Sequence, residues 1–210
     1  MKKSILFVLF LSLLAACGEA EKIQWPEDNG ASSDESPSSA FTDIESEDDF
    51  NDAVNRIGDA EGNDNSGAYN VELTDIIYSS DCEADFVVAA DFAIDTGLSE
   101  SEVEEVLENG GGDQFITMEF IQDDGTLLVE DLGDEGDFED EITGAVYADG
   151  SFRIVYGAYP DESNYLWFDY QGLFNDDDTV EGTFESQIRI EDDEPSGSCT
   201  VTADFSGERE

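Results

Sequence analysis

The chain has 210 residues, 55 of them acidic against seven basic, no histidine, and a formal net charge of −48 at pH 7. So large a negative excess excludes nucleic acid and anionic lipid headgroups as partners, because neutralising phosphates takes Lys and Arg. The missing histidine removes the commonest general base and metal ligand.

In chain order, Met1, Lys2 and Lys3 give a short positive start, followed by the apolar run SILFVLFLSLLAA. That run has the length of a signal-peptide core and falls short of the roughly 20 residues a membrane-spanning helix needs. Leu14-Ala15-Ala16-Cys17 resembles the lipobox of bacterial lipoproteins. The resemblance implies that residues 1–16 are a removed signal peptide. Cys17 is then the first mature residue, its thiol carrying acyl chains such as palmitate. Each buried methylene adds about 0.8 kcal/mol, so several chains hold a soluble domain to a lipid bilayer. Gly18 stands where an aspartate often signals inner-membrane retention in the Gram-negative family, which points to the outer membrane of the cell envelope. With Cys17 set aside, Cys82 and Cys199 remain in a compartment that permits disulfides. Their bond is expected, and closing so long a loop is worth roughly 5 kcal/mol in the chain-entropy model.

Residues 17–68 are rich in Ser, Asp, Glu, Gly and Asn, as in EDNGASSDESPSS, and read as a disordered acidic linker. Within it, FTDIESEDDFNDAVNRIG (residues 41–58) is the exception, with Phe41, Ile44, Phe50, Val54 and Ile57 spaced for a transient helix or for docking on the domain.

Residues 69–210 read as one domain of short strands with period two. Tyr69, Val71 and Leu73 alternate with polar residues, as do Val88, Ala90, Phe92 and Ile94, then Ile116, Met118 and Phe120, then Leu166, Phe168 and Tyr170. VEGTFESQI and CTVTADF are the cleanest runs. Asp124-Gly125 and Asp149-Gly150 each lie between two such runs and predict hairpins, since Asp-Gly tolerates positive φ. NDDDT at 175–179 predicts a longer turn. One short helix is expected where Ser99 and Glu102 form a capping-box pattern, Val103, Val106 and Leu107 share a face, and Asn109-Gly110 stops the run. The fold class is therefore all-β: an antiparallel meander closed as an up-and-down barrel, with a sandwich as the alternative. About nine strand candidates appear, yet pairing the first and last strands antiparallel requires an even count, so one is spurious or lies outside the ring. Its strand texture resembles lipocalin-like lipoprotein domains, a likeness of fold that licenses no function.

No catalytic motif appears: there is no GxSxG, no GxxxxGKS and no GxGxxG. With 55 acids, a carboxylate pair carries no information by itself. The chain is read as a non-enzyme without cofactor. EGNDNSGAYNVE places Glu61, Asn63, Asn65 and Glu72 at calcium-loop spacing, but Ser66 stands where a glycine must turn the chain. DLGDEGDFEDE (residues 131–141) is dense in acid and reads as a solvated hairpin loop or a loose cation holder. The crowd Tyr147, Tyr156, Tyr159, Tyr165, Trp167 and Tyr170 would line an apolar pocket if the barrel were hollow, or simply pack. The expected partners are thus a bilayer through Cys17, a small apolar ligand or a protein, and cations as counterions. A calcium-dependent structural or surface role is the alternative. After residue 16 the 55 acids face only Lys22, Arg56, Arg153, Arg189 and Arg209, a balance that resembles proteins of halophiles, in which concentrated salt screens the repulsion.

Overall fold

A computed structural model describes residues 41–61, 64–90, 92, 99–130, 142–175, 178–191 and 195–210. Eight strands follow one another around a closed ring: β1 (Gly67–Tyr78), β2 (Gln114–Asp123), β3 (Thr126–Glu130), β4 (Ile142–Val146), β5 (Ser151–Asp161), β6 (Asn164–Phe174), β7 (Thr179–Ile190) and β8 (Gly197–Arg209). Every neighbour is antiparallel, and β8 returns to pair with β1, with Leu73 opposite Phe205 and Tyr78 opposite Val201. The fold is the expected up-and-down barrel rather than a sandwich.

Local chemistry explains the turns. Asp123 pairs with Thr126 across Asp124-Gly125, and Asp124 takes φ 50. Residues 147–150 turn β4 into β5, with Gly150 at φ 84. In the third turn the Asn175 amide donates to the Thr179 carbonyl at 2.9 Å, and Asp178 takes φ 62. β1 changes face midway. Tyr69, Val71 and Leu73 are buried, then Ile76 and Tyr78, because a bulge between Thr74 and Ile77, with Asp75 at φ 52, shifts the alternation by one.

Three helices accompany the ring among the described residues, where one was expected: α1 (Glu47–Val54), α2 (Ala84–Ala90) and α3 (Glu100–Asn109). The expected helix is α3. The Glu102 carboxylate accepts from the Ser99 amide at 2.8 Å and the Ser99 hydroxyl at 2.5 Å, and Gly110 at φ 84 ends it. The strand expected around Val88, Ala90 and Phe92 is the surplus ninth. Residues 84–90 coil as α2, burying Phe86 and Val87 side by side, which a strand with alternating faces would not do. Ile94 lies outside the described residues. The linker expected over 17–68 is also shorter at its C-terminal end, because residues 41–60 carry α1 and bury Ile44, Phe50, Ala53 and Ala60.

The barrel interior is packed. Tyr69, Phe120, Phe152 and Phe174 contact one another with ring centroids 4.6 to 5.9 Å apart. Tyr170 lies 4.7 Å from Phe184 and 6.0 Å from Phe205. Gly172 and Gly182 pair across β6 and β7 beneath these rings: a Cβ on either would come within 2.6 Å of Phe152 or Phe205. The two glycines thus make room for two phenylalanines. At the end where β1 finishes, Phe86, Val87, Phe92 and Val103 join the interior cluster. At the other end Ala60 joins it, and its amide donates to the Val146 carbonyl at 3.1 Å.

Candidate functional sites

Cys17 lies outside the described residues. Cys82 and Cys199 are bonded, with sulfurs 2.02 Å apart, joining the segment after β1 to the start of β8. The bond therefore closes the ring between its first and last strands across a separation of 117 residues. A polar clasp surrounds it. Asp81 accepts from the Ser79 hydroxyl and, at 2.9 Å, from the Ser198 hydroxyl, while the Thr200 amide donates to Ser79 Oγ at 3.0 Å. These hydrogen bonds, that from Ser79 first, hold the Asp81 carboxyl below the ordinary range.

A cleft of about 430 Å³ opens beside this clasp. Asp81, Glu83, Phe86, Arg189 and Glu191 line it. Arg189 and Glu191 pair there but stay 44% and 46% exposed, so water screens them. A smaller cleft of about 120 Å³ lies at the opposite end, against Tyr147, Asp149 and Phe174.

The most organised polar arrangement is on the outer wall. Arg153 of β5 and Asp169 of β6 are buried there, with side chains 1% and 4% exposed. Arg153 Nε donates to Oδ1 at 3.0 Å and Nη2 to Oδ2 at 2.6 Å, a two-pronged pair, and Gln171 Nε2 donates to Oδ2 at 2.8 Å. The pair is buried because residues 41–58 cover it. Ile44, Phe50 and Ala53 pack with Val155, Tyr159 and Trp167, and Tyr159 stacks on Tyr165 at 4.7 Å. Phe41 has the Arg56 guanidinium 5.2 Å and the Arg153 guanidinium 5.6 Å from its ring centre. Two of the five basic residues after position 16 thus meet at one phenylalanine.

The aromatic crowd is therefore split between two faces. Tyr156 and Tyr170 point inward, and burial raises both phenol pKa values above the ordinary range. Tyr159, Tyr165 and Trp167 point outward beneath the covering segment, so they line no barrel lumen. Of the calcium-spaced residues, Asn65 is bonded to Gln122 at 2.9 Å and Glu72 stands in β1, while Asn63 and residues 131–141 lie outside the described residues. No group of three or more acids is placed to hold a metal among the described residues. The resolved carboxyl shifts, at Asp64, Asp81 and Glu102, are all downward and each has hydrogen bonds to a neighbouring serine as its largest cause. A general acid working near neutral pH needs the opposite shift.

Reasoning from sequence missed the Arg153–Asp169 pair. Its signal is a single charge inside each of two otherwise apolar runs, FRIVY and LWFDY.

No family model and no curated protein matches this chain. Among solved structures it is similar to the monomer form of the M. tuberculosis PknI sensor domain, at 8% identity over 72% of this chain and 90% of that one. The TM-score of that pair is 0.39, a likeness that carries no functional argument.

Proposed function

We propose that this chain is an exported lipoprotein, anchored in the outer membrane through an acylated Cys17, whose barrel serves binding or envelope structure without catalysis. The observation that supports it most is the pairing of the cysteines. Cys82 and Cys199 are joined, which leaves Cys17, at the end of the apolar leader, as the cysteine outside that bond. A structural bond of that kind suits an oxidising compartment. The packed interior turns the reading away from a small apolar ligand held in the lumen and toward a protein partner met on the outer wall. The acid excess is an adaptation to concentrated salt, with cations acting as diffuse counterions.

The test is metabolic labelling with palmitate in cells making the chain or its Cys17→Ala variant. Label on the parent and none on the variant supports the assignment; equal label on both overturns it.

A further inference from the structure

Residues 41–58 contribute no strand to the ring. They lie across the outer wall of β5 and β6 and hold themselves there through Phe41, Ile44, Phe50 and Ala53. Their one helix, α1, has eight residues, below the roughly 12–15 at which an isolated helix becomes even marginal in water. Ser46 caps it by accepting from the Asp49 amide at 3.2 Å, and the first-turn acids Glu47, Asp48 and Asp49 suit its N-terminus, but Asp48 and Asp52 repel one turn apart and its last turn has no basic residue. The helix therefore depends on being docked.

The docking is imperfect in a specific way. Arg153 Nη1 and the Trp167 indole N–H are both buried, and neither has a hydrogen-bond partner among the described residues. Trp167 is packed by the covering segment itself, and Arg153 lies against Phe41. On a bare wall, both donors would meet water. Covering them shields both from bulk solvent, and the covering residues offer neither an acceptor, so each opposes docking.

The C-terminal end of the segment is pinned. Gly58 and Gly125 meet backbone to backbone, so tightly that a Cβ on either would come within 2.1 Å of a carbonyl oxygen, and Ala60 is tied to Val146. That contact is a natural pivot.

We propose that residues 41–58 form a displaceable strap that swings about Gly58 while the barrel stays folded, uncovering Val155, Tyr159, Tyr165 and Trp167 as a docking face. The strap occupies that face in cis, and its own chemistry, an acidic amphipathic segment led by a phenylalanine, is that of the partner the face accepts. The inference stands whether or not Cys17 carries lipid. If it does, the strap begins 24 positions beyond the anchor.

The test is amide hydrogen exchange on the full chain in molar KCl, for the parent and for Phe50→Ala. In the parent, α1 amides should exchange at least about tenfold faster than those of β5 and β6, as a locally opening unit does. In Phe50→Ala, exchange in α1 should rise a further tenfold or so, with β5 and β6 within about threefold of the parent. A synthetic peptide of residues 41–58, added in trans, should bind the variant more tightly than the parent. Equal protection of α1 and the barrel in the parent overturns the proposal. So does joint loss of protection in α1 and β5 in the variant, which would make the strap part of the barrel's cooperative core. So does peptide binding that is absent or indifferent to the substitution.

Discussion

Replacing Asp169 by alanine is the sharpest perturbation of the outer wall. It removes the acceptor of three Arg153 hydrogen bonds and one from Gln171. The guanidinium it leaves is 1% exposed, and its Nη1 already lacks a partner among the described residues. Breaking a buried pair from one side costs about 3–5 kcal/mol, because the remaining charge keeps its desolvation penalty and loses its compensation. Against a domain stability of about 5–15 kcal/mol, that is a large fraction. With a urea slope near 2 kcal/mol per molar, the midpoint should fall by about 2 M. Equilibrium urea unfolding followed by fluorescence reads this directly. The loss should persist in molar KCl, because buried pairs are screened little. Glu191→Ala, which breaks the exposed Arg189 pair, should cost under about 1 kcal/mol, and less still in that salt. Replacing both partners, Arg153→Met with Asp169→Leu, should return most of the loss. A loss below about 1 kcal/mol for Asp169→Ala, or a double variant no better than the single, would refute the reasoning.

Removing the bridge with Cys82→Ala and Cys199→Ala should cost about 3–5 kcal/mol, since the closed loop spans most of the domain, and reductant should then have no further effect on the urea midpoint. Asp81→Asn tests the clasp by pH. The folded carboxyl is lowered, so its contribution is present above the unfolded value near 3.9 and fades as pH falls through the folded one; the stability gap between parent and variant should close below about pH 4. Tyr170→Phe tests the interior in alkali. Burial raises the phenol, so its contribution is intact below about pH 10 and lost as pH rises beyond; the variant should show a shallower fall in stability above that pH, and an identical slope would contradict the inward placement.

What the sequence made legible was local. Asp124-Gly125 and the Ser99–Glu102 cap each carry their instruction within four residues, and both elements form where expected. Strand faces were readable because alternation in CTVTADF admits one assignment, and the even strand count followed from the cysteines. The run DFVVAADF was ambiguous, since a short apolar stretch fits period two and a buried helix alike, and the neighbouring burial of Phe86 and Val87 decided for the helix. The strap was legible only in part: Phe41, Ile44, Phe50, Val54 and Ile57 marked residues 41–58 for a helix or for docking, without saying where. Its few apolar residues sit in acid-rich sequence, and the surface that orders them lies about a hundred residues away, on Val155, Tyr159 and Trp167. A clue did exist: the neighbours Ile154 and Val155 put an apolar side chain on each face of β5, as in a strand covered on its outer side.

The central claim, a disulfide-closed barrel tethered by lipid, is tested most directly by the intact mass of the protein taken from its native membrane without reductant. The expected mass is that of a chain beginning at Cys17, enlarged by acyl groups and lacking the two hydrogens lost on joining Cys82 to Cys199. A mass that retains residues 1–16, or that shows Cys17 bare and all thiols free, would contradict it.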